Sequence, residues 1–123
     1  PWGNEAATCD RAVISDSSSG GMGCGRSAPW PVCSKPQGNS EQGLCDMAGN
    51  VWHWTQDSLS HPWNTYSGSP DDGSAKDAPT ASYSLRALRG GSWREDGANA
   101  RSAFRSVQGP ESQFGGVGFR PAR

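Results

Sequence analysis

Four cysteines, at positions 9, 24, 33 and 45, are the most reactive side chains of this 123-residue sequence, and all of them fall in its first 45 residues. An even number of Cys in a Gly- and Ser-rich segment points to a disulfide framework and to an oxidising compartment, secreted or at the cell surface. Zinc is the competing use. The 14, 8 and 11 residues that separate successive cysteines, however, leave no Cys-x-x-Cys pair of the kind zinc sites favour. Spacing does not determine connectivity; Cys9 with Cys24 and Cys33 with Cys45 is the pairing favoured, because each closes a local loop.

The remaining reactive types are sparse. His53 and His61, the two histidines, are eight positions apart across a loop and do not make a facial iron triad. Asp71-Asp72 and Glu95-Asp96 are acid pairs in turn-like contexts, where solvated loop carboxylates are the ordinary outcome. Hydrolytic and nucleotide chemistry lack their motifs: there is no Gly-x-Ser-x-Gly elbow and no Gly-rich phosphate loop followed by Lys-Ser/Thr. Ligand binding by exposed aromatic rings is better provided for. Trp30, Trp63 and Tyr66 sit in Pro/Gly-rich loops, and Asp71, Asp72 and Arg94 are polar groups able to orient a sugar or peptide against such rings.

The elements that must position these groups are short. In residues 43–54, Leu44, Met47, Ala48 and Val51 recur at helical spacing and predict one helical turn, with Gly49-Asn50 as its stop signal. The pattern then switches to period two, placing Trp52 and Trp54 on one face of a strand and Val51 and His53 on the other. Ala12-Val13-Ile14 predicts a short strand, and Pro29-Trp30-Pro31 holds its segment extended. Residues 56–83 are long and irregular, the kind of loop that is usually functional. Residues 85–93 predict a strand with a Gly90-Gly91 kink or bulge. Residues 100–107 fit a strand or a helical turn, and 113–123 close the domain with Val117 and Phe119 turned inward. Trp2, Trp52, Trp54, Trp93 and Phe119 are the expected core anchors.

The run Gly43-Leu44-Cys45-Asp46-Met47-Ala48-Gly49-Asn50-Val51-Trp52-His53-Trp54 resembles the Gly-Leu-x-Asp-Met-x-Gly-Asn-Val-Trp-Glu-Trp signature of the formylglycine-generating enzyme (sulfatase-modifying factor) family. Pro1-Trp2-Gly3-Asn4, Arg86-Ala87-Leu88-Arg89-Gly90-Gly91-Ser92-Trp93 and Gly118-Phe119-Arg120 resemble further segments of that family in the same order. The resemblance implies an α+β, mostly irregular fold of the formylglycine-generating-enzyme type, related to C-type lectins. It covers the latter part of that domain as a single unit, 1–123. It also implies a Ca²⁺ site at Asp46, the carbonyls of Gly49 and Val51, and position 53, where His stands in place of the family's Glu and substitutes nitrogen for a hard oxygen donor. The family's oxidases bind copper through a Cys pair just after Gly-Gly-Ser. Residues 93–102 of this chain contain no Cys, so no copper is expected. The family's sulfoxide synthases hold iron with His residues of a separate helical domain, which lies outside this sequence.

Composition narrows the partners. Gly and Pro together account for 26 of 123 residues, and hydrophobic residues for 33%, while six Trp supply the apolar area that a disordered chain would lack. The net charge of −1 favours neither nucleic acid nor an anionic membrane, and no membrane span is visible. Residues 1–85 hold four basic and nine acidic side chains against seven Arg and three acids in 86–123. The expectation is that the two parts pair within the fold. Since the sequence opens at Pro1 without Met, it is expected to be a processed product. The reading is a secreted, non-catalytic binding or assembly module whose partner is another protein chain or the N-terminal half of the domain. An oxidoreductase-type family member with its chemistry elsewhere, and a structural subunit of a cell-surface assembly, are the alternatives.

Overall fold

The computed structural model describes residues 1–59, 68–76 and 85–121. A four-stranded sheet organises them: β1 (Trp52–Leu59), β2 (Leu85–Arg89), β3 (Arg105–Gln108) and β4 (Val117–Gly118), in the spatial order β3-β2-β1-β4. β2 lies antiparallel to both β1 and β3, and β4 pairs parallel with the free edge of β1. The β1–β2 ladder is in two frames. His53 faces Arg89 and Trp54 faces Leu88, whereas Ser58 faces Arg86 and Leu59 faces Leu85. Four residues along β1 therefore span two along β2. The irregularity is stitched by side chains: the Thr55 hydroxyl donates to the Ala87 carbonyl (3.1 Å), and Arg86 donates to Gln56 O (2.6 Å) and Ser58 Oγ (2.7 Å).

Ala87, Leu88, Leu59, Val13 and Ile14 are 0–2% exposed and form the tightest part of the core. Removing apolar side chains of this size from water is worth about 1.5–3 kcal/mol each. Trp52 is buried and its ring lies 6.0 Å from that of Phe104, tilted by 38°. Trp93 is buried as well, with its indole N–H donating to Gly115 O (3.0 Å). A second cluster gathers Cys9, Ala12, Ile14, Ala48 and Ala100, against which Trp2, Ala7 and Cys24 pack.

Several sequence expectations need correction. Residues 47–51 form bends and 44–46 are irregular, so there is no helical turn, and Leu44 and Met47 are exposed. Asp46 has φ 52°, which a right-handed turn cannot contain. The 12–14 segment is extended and buried but stands outside the sheet, bonding to loops through Ser15 N to Glu95 O, Cys24 N to Ile14 O and Asn50 N to Val13 O. Trp54 and Trp2 are half-buried rather than central. Phe119 is 80% exposed, because β4 ends at Gly118 and the period-two alternation ends with it. Regular helix is represented only by two 3₁₀ turns, Ser17–Ser19 and Pro36–Gly38, among the described residues. The fold is thus a small curled sheet with few helical residues, consistent with a C-type-lectin-like architecture.

Candidate functional site

The Gly49-Asn50 turn joins three loops in front of β1. Gly49 has φ 76°, and an added Cβ would stand 2.7 Å from the Val13 carbonyl oxygen, so glycine is required there on both counts. Asn50 is buried with φ 66°, a conformation that Asn tolerates better than most residues. Its carboxamide serves as a surrogate backbone partner: Trp30 N donates to Oδ1 (2.9 Å) and Nδ2 donates to Trp30 O (3.1 Å). Its main chain donates to Val13 O (2.8 Å) and accepts from Trp93 N (2.9 Å). One residue thereby fixes the 12–14 segment, the Trp30 loop and the 90–93 loop. Arg26 and Lys35 stand over the Trp30 ring at 3.9 and 4.0 Å.

Next to this turn lies the Cys33–Cys45 disulfide, and Cys9–Cys24 is the other; both pairings match the sequence expectation. Asp46 Oδ2 accepts from Cys33 N–H (2.7 Å). Cys33 and Asp46 both have left-handed backbone, at φ 60° and 52°, which bends the two strands of the loop toward each other. The Arg120 guanidinium donates to the Cys45 carbonyl. His53 is half-buried; its pKa is depressed, first by burial and then by Arg120, with Asp46 acting in the opposite direction. Gly90, at φ 94°, leaves room for it, since a Cβ there would lie 3.3 Å from His53 Nδ1.

Asp46 and His53, two of the residues the family resemblance implies for calcium, are within electrostatic reach of each other. The donor set around them does not fit calcium. The ligating side chains that converge are Cys33, Cys45 and Asp46, within 4.8 Å of one another. The side-chain donors are one carboxylate, two cysteine sulfurs and, at position 53, an imidazole. A hard cation wants several oxygen ligands, carboxylates especially.

The aromatic ligand site is less connected. Trp63 and Tyr66 lie outside the described residues. Asp71 and Asp72 are exposed, and Asp72 Oδ1 accepts from Ser74 N (2.9 Å) and Ser74 Oγ (2.6 Å), which lowers its pKa. Arg94 lies over the Trp93 ring at 4.6 Å, and no ion pair joins it to Asp71 or Asp72 among the described residues. A cavity of about 560 Å³ opens on another face, between residues 1–7 and 97–102, with Trp2, Ala7, Ala98 and Ala100 in its wall. Sequence reasoning missed Arg120 and Trp30 as parts of this region; the adjacency of Cys45 and Asp46 was the signal that a carboxylate would sit beside a disulfide.

The family model of the sulfatase-modifying factor enzyme 1-like domain matches residues 1–123. Hercynine oxygenase of Mycobacterium tuberculosis is 34% identical over 119 residues, which are 95% of this chain and 25% of that protein. Serine/threonine-protein kinase Pkn1 of Chlamydia trachomatis is 37% identical over 95 residues, 76% of this chain and 14% of that protein. The solved structure of PvdO from Pseudomonas aeruginosa superposes with a TM-score of 0.73 at 29% identity, covering 97% of this chain and 41% of PvdO. The chain spans a quarter or less of the length of these two curated relatives.

Proposed function

The chain belongs to the sulfatase-modifying factor enzyme 1-like domain family, and we propose that it serves there as a secreted, non-catalytic binding or assembly module. The observation that supports this reading is the content of residues 93–102, where the resembling oxidases place their copper-binding Cys pair. Here the stretch is built for structure. Ser92 N–H and Oγ donate to the Glu95 carboxylate, Ala98 N donates to Asp96 Oδ1 (2.9 Å), and Arg94 covers Trp93. The four cysteines pair with one another within the first 45 residues, so the 93–102 stretch has no thiolate for copper and oxygen chemistry.

The partner is a polypeptide. The cavity between residues 1–7 and 97–102 has Trp2, Ala7, Ala98 and Ala100 in its wall beside the polar Glu5 and Arg101, a mixed surface that a protein segment could cover. PvdO continues well beyond the matched part, since this chain covers 41% of it. The covering segment is therefore the rest of such a domain, in the same polypeptide or in another chain. Residues 56–83, which carry Trp63 and Tyr66, are our candidate segment for a sugar or peptide ligand. A second reading, an oxidoreductase-type family member whose chemistry is supplied elsewhere, draws on the likeness to hercynine oxygenase.

Incubation with copper(I), oxygen and a cysteine-bearing peptide tests whether this chain itself is catalytic. A peptide recovered by mass spectrometry with its thiol intact is the expected result, and conversion of that thiol to an aldehyde would overturn the non-catalytic reading. Crosslinking in material from the natural source should place a second segment on residues 1–7 or 97–102.

A further inference from the structure

We propose that Cys33, Cys45 and Asp46 form a thiol-gated metal site, closed as a disulfide and opened by a dithiol reductant into a three-donor cradle for a zinc-type divalent cation. This inference stands apart from the binding-module reading and concerns a different face of the molecule. Its foundation is geometric. The two Sγ atoms and an Asp46 carboxylate oxygen lie within 4.8 Å of one another, on a loop whose cysteine Cα atoms are 5.1 Å apart. Tetrahedral zinc holds thiolate sulfur at about 2.3 Å and carboxylate oxygen at about 2.1 Å, so its ligands stand roughly 3.5 Å from each other. Side-chain rotation reaches that arrangement once the S–S bond is open.

The carboxylate is already aimed. Cys33 N–H fixes Oδ2, while Oδ1 accepts no hydrogen bond among the described residues. A backbone donor behind a ligating carboxylate orients it and raises affinity. Charge is also provided for. Two thiolates and one carboxylate around a dication leave one net negative charge, and the Arg120 guanidinium at the Cys45 carbonyl offsets it. Access is open as well: Cys33 is exposed, and Cys45 and Asp46 are half-buried, so a water completes the coordination from the solvent side. No other group of three such ligating side chains converges among the described residues.

Opening is ordinary thiol–disulfide exchange. A thiolate of the reductant attacks the exposed Cys33 sulfur, the S–S bond breaks, and Cys45 leaves as a thiolate. The second thiol of the reductant then attacks the mixed disulfide and releases Cys33. The reductant gives up two electrons and becomes a disulfide. Its two protons pass to the cysteines and are released to solvent when the metal binds.

The test uses the purified protein, a phosphine reductant added stepwise, alkylation mapping by mass spectrometry, and Co²⁺ alone as the probe. Cys33 and Cys45 should be alkylated while Cys9–Cys24 remains joined. The selectively reduced protein should then bind one Co²⁺ with a thiolate-to-cobalt charge-transfer band and intense tetrahedral visible bands, erased by Zn²⁺. Asp46→Asn keeps an acceptor for Cys33 N–H yet should weaken Co²⁺ binding by at least about tenfold, and Cys33→Ser with Cys45→Ser should abolish the charge-transfer band. Near-ultraviolet circular dichroism of the tryptophans should persist through reduction. Simultaneous reduction of both disulfides, absence of the band, its survival in the double serine variant, unchanged affinity in Asp46→Asn, or loss of the tryptophan signal would each overturn the proposal.

Discussion

The two disulfides close loops of nearly equal length, with sequence separations of 15 and 12, yet they sit in opposite surroundings. Chain entropy assigns each about 3 kcal/mol, so loop closure does not distinguish them. Cys9–Cys24 belongs to an apolar cluster with Ala12, Ile14, Ala48 and Ala100 and is packed by Trp2. Cys33–Cys45 is edged by Asp46, His53 and Arg120 and presents Cys33 to solvent. The contrast teaches that two cross-links of the same entropic worth can have separate roles. One is part of the core; the other is part of a polar site.

Removing each bridge in turn gives the largest expected effect. Cys9→Ala with Cys24→Ala should cost about 4 kcal/mol in urea unfolding, the loop term plus lost packing, against about 2–3 kcal/mol for Cys33→Ala with Cys45→Ala. Equal costs would erase the distinction. Asn50→Ala should cost about 2 kcal/mol, because it strips partners from both Trp30 N–H and Trp30 C=O beside the exposed bridge. A change of a few tenths would mean that water replaces the amide without penalty.

A pH titration sharpens the same contrast. The folded chain depresses the His53 pKa below its ordinary 6.5, so the unfolded chain binds the proton more readily. That part of the stability is present above about pH 6.5 and is lost as the pH falls toward the depressed folded value. His53→Gln should flatten this dependence, and Arg120→Gln should move it upward in pH; an unchanged profile in both would detach His53 from the exposed site. The smallest effect belongs to Phe119→Ser, within about 0.5 kcal/mol, since the ring is 80% exposed.

How much of this was legible in the sequence depended on range. Local loop closure favoured the two pairings that the structure holds without determining them, and large apolar area placed Trp52 and Trp93 in the core while overrating Trp2 and Trp54, which are half-buried. Leu44, Met47 and Val51 had helical spacing, but the bridge from Cys45 to Cys33 and the left-handed Asp46 override a propensity worth only tenths of a kcal/mol per residue. Phe119 was misplaced because alternation presumes a continuing strand, and β4 stops after two residues, where a Cβ on Gly118 would lie 2.9 Å from Val51 Cγ2. The Asp46–Cys33 bond could not be read before the connectivity was known. Nor could the approach of Arg120, 75 positions from the carbonyl it reaches.

The two-frame ladder between β1 and β2 divides the strand pair into a half beside the Gly49-Asn50 turn and a distal half. His53 and Trp54 hold one register against β2, and Ser58 and Leu59 hold another, with the slack between them pinned by Thr55 and Arg86. A change of length beyond Leu59 thus meets the Ser58–Leu59 frame before it meets the His53–Trp54 frame. The hairpin is therefore a ready acceptor for grafted loops, and libraries built on that connection would leave the Gly49-Asn50 turn undisturbed.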